Sequence, residues 1–206
     1  MKIYDISMEI SEQMPVYKDL ESKKPRFINV SNHTENEHYE TDIHMNVHSG
    51  THVDFNLHML KDGATSSEAV ISNYISEARV LDLSYVLERI EKENLVHLGI
   101  KKNEFILLKT RNSQEDKFNP EFVFLAESAA IYLSEIGIKG VGIDALGVER
   151  SQKGHPTHKH LMAKNIIILE GLRLKDISVG SYTLIALPLK LKGLDASPVR
   201  AVLIGQ

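Results

Sequence analysis

The stretch from His48 to His58 constrains the fold more than any other part of this chain. It reads His-Ser-Gly-Thr-His-Val-Asp-Phe-Asn-Leu-His. In a helix, Asp54 would lie about 200° around the axis from His52, whereas alternate residues of an extended strand share one face. Gly50 and the β-branched residues on either side of His52 also disfavour a helix. The polar residues at even spacing are His48, His52, Asp54 and His58. We therefore predict a strand, entered through a tight turn at Ser49-Gly50, that presents these side chains to one point.

The residue types in this stretch indicate a metal site. Imidazole nitrogens and carboxylate oxygens are ligands of first-row divalent metals such as Zn²⁺ and Mn²⁺. The chain has no cysteine, so histidine, aspartate and glutamate must supply the side-chain ligands. Six of the ten histidines lie between residues 33 and 58. A polar strand edge that carries unrelated surface histidines is therefore the alternative interpretation.

Composition and charge narrow the class of protein. The chain has 206 residues, of which 42% are hydrophobic and 25% are charged, and this favours a single globular domain over residues 1–206. The net charge is −4 and there is no basic run, so neither a nucleic acid nor a membrane is indicated as a partner. Asp5 and Glu9 interrupt the first residues where a signal peptide needs an apolar run. We therefore expect a cytoplasmic protein.

Hydrophobic periodicity predicts more strands than helices. Strands are predicted at 3–10, 27–30, 39–47, 78–83, 105–109, 141–143, 166–169, 181–189 and 199–204, and helices at 86–93, 120–136 and 157–164. Strands and helices alternate only in part along the chain. The pattern is typical of an α/β domain with a mixed sheet and disfavours a doubly wound parallel one.

The stretch from His48 to His58 resembles the signature of the cyclase family of metal-dependent hydrolases, which includes bacterial kynurenine formamidases and isatin hydrolase. The family pattern is His-x-Gly-Thr-His-x-Asp-x-Pro-x-His, and only Asn56 departs from it by replacing the proline. The run from Met14 to Tyr17 (Met-Pro-Val-Tyr) is similar to the segment that helps wall the active site in the family, often from a neighbouring subunit. Residues 140–146 and 193–200 also match, so the resemblance covers nearly the whole chain.

A second pattern offers ligands from the other half of the chain. Residues 155–160 supply three histidines, and the next apolar segment ends at Glu170. The run from His158 to Glu170 resembles the family's His-x-x-Leu-Leu-x-x-Gly-Ile-x-Ile-x-Glu, with Asn165 in place of the glycine. This resemblance selects His158, which lies twelve residues before the glutamate, and leaves the remaining histidines as surface or outer residues.

The resemblance implies a set of roles. The implied metal ligands are His48, His52, Asp54, His158 and Glu170, which would hold one or two divalent ions, zinc first and manganese second. His58 would carry protons, and Tyr17 and Phe55 would contact the substrate. The implied fold is a swivelling β/β/α domain that forms a homodimer or a higher homo-oligomer.

The implied activity is hydrolysis of a small molecule by metal-activated water. The bond would be the C–N bond of an amide, a formamide similar to N-formylkynurenine, or a cyclic amide. Two alternatives stay open. One is a metal-binding or ligand-binding member of the family without turnover. Asparagine at position 56 restricts the backbone before His58 less than proline would, so His58 could be misplaced for proton transfer. The other is a lyase or ring-forming cyclase that uses the same metal.

Overall fold

The computed structural model describes residues 1–205, and a nine-stranded mixed sheet forms its centre. The strands are β1 (Lys2–Asp5), β2 (Arg26–Ser31), β3 (Glu40–His44), β4 (His52–Asp54), β5 (Ile75–Asp82), β6 (Arg89–Ile90), β7 (Phe105–Lys109), β8 (Phe124–Leu125), β9 (Gly140–Ile143), β10 (Ile167–Glu170), β11 (Gly180–Ile185), β12 (Ala196–Pro198) and β13 (Val202–Gly205). The α-helices are α1 (Lys92–Leu95), α2 (Glu127–Ile136) and α3 (Pro156–Met162). Short 3₁₀ helices lie at Tyr17–Asp19, Glu21–Lys23, Asn56–His58, Ser66–Glu68, Ile71–Tyr74, Val96–Leu98 and Arg111–Gln114.

The sheet combines a parallel centre with antiparallel flanks. Its strand order is β1-β13-β11-β5-β7-β9-β10-β4-β12. Strands β5, β7, β9 and β10 are mutually parallel, and every other pairing in this sheet is antiparallel. The predicted α/β class with a mixed sheet is therefore confirmed.

Apolar cores cover both faces of the central strands. Along β7, Ile106 and Leu108 pack into the core beneath α2 and α3, whereas Phe105 and Leu107 pack into the core on the opposite face. Residues 105–108 are all buried, as expected for a parallel strand with both faces covered.

Several predicted elements have different bounds in the structure. The predicted helix at 86–93 is wrong, because residues 89–90 pair with β8 and the helix begins only at Lys92. The predicted helix at 120–136 begins at Glu127, after the buried strand β8. Periodicity could not separate these short buried strands from adjoining helical turns, since both contribute apolar residues to the same core.

Strands β2 and β3 form a separate hairpin away from the central sheet. Phe27, Ile28 and Ile43 leave 40%, 52% and 63% of their surface exposed, respectively. A two-stranded sheet is only marginally stable by itself. This hairpin also exposes several large apolar side chains to solvent, which is unusual for an element of its size. Across residues 1–205, the helices are all too short or too polar to cross a bilayer.

Candidate metal centre

Strand β4 places two of the predicted ligands on one face of the sheet edge. His52 lies opposite Glu170 of β10 on one side and Pro198 of β12 on the other. Because residues alternate along a strand, His52 and Asp54 share one face. The predicted strand from 48 to 58 is shorter than expected, since only residues 52–54 pair as a strand of the sheet. His48 is instead delivered by a turn and His58 by the 3₁₀ helix that follows.

Hydrogen bonds hold the segment before β4 against the end of β10. The Thr51 hydroxyl donates to the carbonyl oxygen of Gly171 over 2.6 Å and accepts from the amide of Met8 over 2.8 Å. The His48 amide donates to the Asn46 side chain over 2.9 Å. The turn that delivers His48 is therefore tied to the N-terminal segment and to the residue next to Glu170.

Asp54 lies at the centre of the five predicted ligands. Its Oδ1 atom lies 3.0 Å from His48 Nδ1 and 3.3 Å from His52 Nε2. Its Oδ2 atom faces His158 Nε2 at 3.5 Å. Glu170 completes the ring, with Oε2 3.3 Å from His52 Nε2 and Oε1 3.5 Å from His158 Nε2. The structure thus brings together all five residues, three from the first half of the chain and two from the second.

Outer hydrogen bonds turn one nitrogen of each histidine inward. Assigned from the hydrogen-bond network, His52 donates through Nδ1 to the Gly50 carbonyl oxygen over 3.0 Å. His158 donates through Nδ1 to Glu149 over 3.0 Å, and His48 donates through Nε2 to Asp195 over 2.8 Å. The opposite ring nitrogens, His52 Nε2, His158 Nε2 and His48 Nδ1, are the ones that face Asp54 or Glu170. Such outer partners commonly fix the tautomer of a metal-binding histidine.

Three buried atoms at this centre lack hydrogen-bond partners among residues 1–205: His52 Nε2, Asp54 Oδ1 and Asp54 Oδ2. An unpaired buried polar atom costs free energy, and a buried charge costs more. A divalent cation would satisfy these atoms with the ligand types that such ions accept. The donor set therefore fits one or two divalent metal ions on either side of Asp54.

In the metal-free protein, protonated histidines balance the negative charges of the buried carboxylates at this centre. Burial opposes the charged form of His52, but the nearby carboxylates of Asp54 and Glu170 outweigh burial and raise its pKa to about 10. The pKa of His158 is raised well above its usual range against the same opposition from burial. In turn, burial and Asp54 oppose ionisation of Glu170, yet His158 and His52 lower its pKa to about 2. The positively charged imidazoles thus neutralise the carboxylates, as a metal cation would.

His58 lies beside the centre and differs from the other histidines. Its ring centroid is 4.1 Å from that of His48, and its Nδ1 atom is 3.5 Å from the Asp195 carboxylate. Burial lowers the pKa of His58 and outweighs the nearby carboxylate of Asp54. His58 is therefore neutral at neutral pH and able to accept a proton, with 26% of its side chain exposed.

A cavity of about 260 Å³ opens above the centre. Its lining includes Tyr17, Lys23, Met59, Leu146, Ser151 and His155, together with His48, His58, His158 and Glu170. Tyr17, which is predicted to contact the substrate, lines this cavity. Phe55 does not line it, because it lies on the opposite face of the β4 segment from Asp54 and packs into the core with Val53. Its position one residue beyond Asp54 turns its side chain away from the cavity.

The sequence did not predict that the carboxylates of Glu149 and Asp195 or the ring of His155 would lie at this site. Asp195 lies in the matched segment 193–200, so that match could have drawn attention to it. Glu149 has no local sequence signal, and it meets His158 through the irregular segment that connects β9 to α3. His155, which the sequence predicts to be a surface or outer residue, lines the cavity, and its Nδ1 atom lies 3.3 Å from Glu149.

Comparisons with known proteins identify relatives in both sequence and fold. The family model described as "Putative cyclase" matches residues 4–150. A kynurenine formamidase from Salinibacter ruber is 31% identical over 206 residues, which cover 98% of this chain and 97% of that relative. A solved structure of a "predicted metal-dependent hydrolase from Bacillus stearothermophilus" superposes with a TM-score of 0.90 at 48% identity, covering 98% of this chain and 97% of the other. Isatin hydrolase A from Labrenzia aggregata shares the fold, with a TM-score of 0.85 at 22% identity over 100% of this chain and 94% of its own.

Proposed function

This chain belongs to the cyclase family, and on that premise we propose that it is a metal-dependent hydrolase that cleaves a non-peptide C–N bond with water. The substrate is a small amide, formamide or cyclic amide. The observation that carries the proposal is the Asp54 carboxylate, which is buried without a hydrogen-bond partner among residues 1–205 and lies between two sets of candidate ligands. The kynurenine formamidase relative favours a formamide similar to N-formylkynurenine.

The ligands divide into two sets that share Asp54. His48, His52 and Asp54 form the first, and Asp54, His158 and Glu170 form the second. Imidazole and carboxylate ligands suit both zinc and manganese. We rank zinc first and manganese second. A bound divalent metal polarises a carbonyl oxygen and lowers the pKa of water.

The proton transfers belong to His58. Its neutral ring accepts the proton that the attacking water loses and returns it to the nitrogen that leaves when the C–N bond breaks. Asp195 faces the Nδ1 atom of His58, so the Nε2 atom is the one left for the transfer. The close packing against the His48 ring holds the imidazole beside the ligands.

The wall of the cavity suits an aryl substrate. The Tyr17 ring lies edge-on to Phe118 at 5.6 Å and to Phe122 at 6.2 Å between centroids, and these contacts hold it in place. Tyr17 therefore offers a fixed aromatic surface about which an aryl formamide can orient. Phe55 has no part in this wall, because it lies in the core.

The test is hydrolysis of formanilide and N-formylkynurenine by protein loaded with zinc or manganese. His58→Ala should lower kcat by roughly 10²–10⁴-fold while metal content stays unchanged. His160→Ala is the matched control and should leave kcat nearly unchanged, because His160 lies outside the cavity lining, is 42% exposed and pairs with Glu127. Wild type that binds metal but hydrolyses no amide would instead identify a binding module. Absence of ¹⁸O from labelled water in the product would identify a lyase or cyclase.

We also propose a homodimer of a single-domain chain that spans residues 1–206. The exposed apolar side chains of the β2–β3 hairpin support an intersubunit contact, because Ile28 and Ile43 would otherwise face water. Light scattering should give the mass of a dimer, and Ile43→Glu should lower it. A cytoplasmic location stays a prediction that cell fractionation can test.

A further inference from the structure

Lys23 lines the cavity of the metal centre beside Tyr17. It ends the 3₁₀ helix Glu21–Lys23, and its carbonyl oxygen accepts a hydrogen bond of 2.8 Å from the Ser49 hydroxyl. Ser49 is buried and directly follows the ligand His48. The backbone of Lys23 is therefore fixed relative to the metal centre.

The ammonium group of Lys23 differs from those of the neighbouring lysines. Lys24 pairs with Asp19 at 3.7 Å and with Glu21 at 3.2 Å. Lys23 is half-buried, and among residues 1–205 no carboxylate forms an ion pair with it. Its Nζ atom lies 5.5 Å from the centroid of the Tyr17 ring. A cation over a neutral ring gains some stabilisation but keeps its charge, so Lys23 retains an unneutralised charge in the cavity wall.

The groups around Lys23 are suited to an anion. The Tyr17 hydroxyl and the Ser151 hydroxyl share a hydrogen bond of 2.6 Å at the same wall. A hydroxyl pair of this kind can turn a donor towards an incoming oxygen. The acidic residues of the cavity, Glu149 and Glu170, are buried and engaged with His158 instead. The metal-ligand residues at one side of the cavity therefore suit a cation, and the side formed by Lys23, Tyr17 and Ser151 suits an anion.

We infer that Lys23 binds a carboxylate on the substrate and thereby selects amides that carry one. The inference rests on the proposed hydrolase activity, because it places the C–N bond at the metal centre while the carboxylate lies at Lys23. An amide without a negative charge would still reach the centre, but it would gain nothing from Lys23. Lys23 thus acts in substrate binding and takes no part in proton transfer.

The test compares formanilide with its ortho-, meta- and para-carboxylates as substrates of the metal-loaded protein. In wild type, at least one carboxylate should have a lower KM than formanilide. Lys23→Met should raise that KM about tenfold, because it removes the charged hydrogen-bond donor that faces the carboxylate. The kcat values and the KM of formanilide should change less than twofold. Lys18→Met is the matched control, since Lys18 lies over the same Tyr17 ring at 5.6 Å but is exposed and outside the cavity lining.

Two results would overturn the inference. One is a wild type with no preference for any carboxylate, and the other is an equal rise in every KM in Lys23→Met. If wild type hydrolyses none of these amides, the proposed function fails instead. Calorimetry then decides about Lys23 alone: benzoate should bind to wild type more tightly than benzamide does, and Lys23→Met should abolish the difference. Equal benzoate binding by both proteins would contradict the anion site.

Discussion

The side chains of Asn56 and Asn165 are joined by a hydrogen bond of 2.8 Å, donated by Asn56 Nδ2 to Asn165 Oδ1. At both positions the chain departs from the family patterns, in which proline and glycine are usual. Asn56 begins the 3₁₀ helix that carries His58, and Asn165 adopts a left-handed conformation with φ of 55° just before β10. The hydrogen bond thus ties the segment of His58 to the strand that ends at Glu170.

The first prediction is that Asn56→Pro is tolerated. Phe55 is extended (φ −105°, ψ 159°), a conformation that suits the residue before proline, and proline is favoured at the first position of a helical turn. The entropy gain of about 0.4–1 kcal/mol should offset most of the lost hydrogen bond, so the free energy of unfolding should change by less than about 1 kcal/mol. Chemical denaturation measures it. A loss above about 3 kcal/mol would show that the Asn56–Asn165 bond is essential to the fold.

Gly171→Ala should damage both stability and metal binding. A Cβ atom there would overlap the Gly50 carbonyl group and lie 3.2 Å from the Cα atom of Thr51, in the turn that precedes His52. Gly99→Ala is the matched control, because its φ of 61° resembles the 69° of Gly171 while nothing lies within 4 Å of its added Cβ. Gly171→Ala should therefore cost about 1–3 kcal/mol more than Gly99→Ala in thermal or chemical unfolding, and only Gly171→Ala should lose metal. Equal costs would mean that the turn adapts freely.

Glu149 should control metal affinity through His158. It accepts from both the amide and the Nδ1 atom of His158, at 2.8 and 3.0 Å, and is itself buried. Glu149→Ala should weaken metal binding by roughly 10–100-fold at the set formed by Asp54, His158 and Glu170. Glu149→Gln keeps an acceptor oxygen and should recover part of the loss. Titration with a metal indicator measures the affinity, and an Ala variant with unchanged affinity would refute this role.

Metal binding should release protons at pH 7. The pKa of His52 is about 10 in the metal-free protein, and those of His48 and His158 are also raised, so these rings must lose protons before they bind a metal. Affinity should therefore rise with pH from 6 to 9. The stability of the metal-free protein should change with pH in the opposite direction. The raised histidine pKa values stabilise its fold fully below about pH 6.5, and this contribution is lost as pH rises through the folded pKa values. Calorimetry in buffers of different ionisation enthalpy measures the released protons, and none released would contradict the assignment.

The sequence predicted the ligand-bearing segments better than their conformations. The pattern from His48 to His58 correctly grouped four polar side chains, but it did so on the assumption of one continuous strand, whereas only residues 52–54 pair as a strand of the sheet. Even spacing cannot reveal that a turn and a 3₁₀ helix bring His48 and His58 back to the same place. Phe55 was misplaced for a related reason, because its face depends on the strand register.

The supporting carboxylates lay beyond sequence reasoning for a different reason. Glu149 and His158 are nine residues apart, and Asp195 and His48 are 147 apart, so their contacts depend on how the chain returns to the sheet edge. Asp195 is positioned by the pairing of β12 with β4, and its carbonyl oxygen accepts from the Phe55 amide over 2.9 Å. Long-range contacts of this kind leave no periodicity along the chain.

Metal content by elemental analysis, on protein purified without chelator, tests the central claim most directly. Wild type and Asp54→Ala should be compared with Asp144→Asn, because Asp144 is also a buried carboxylate but is fully engaged with Thr110 and Ser113. We expect one or two equivalents of a divalent metal in wild type and in Asp144→Asn, and loss of metal in Asp54→Ala. A wild type that takes up no metal even after incubation with Zn²⁺ or Mn²⁺ would contradict the account.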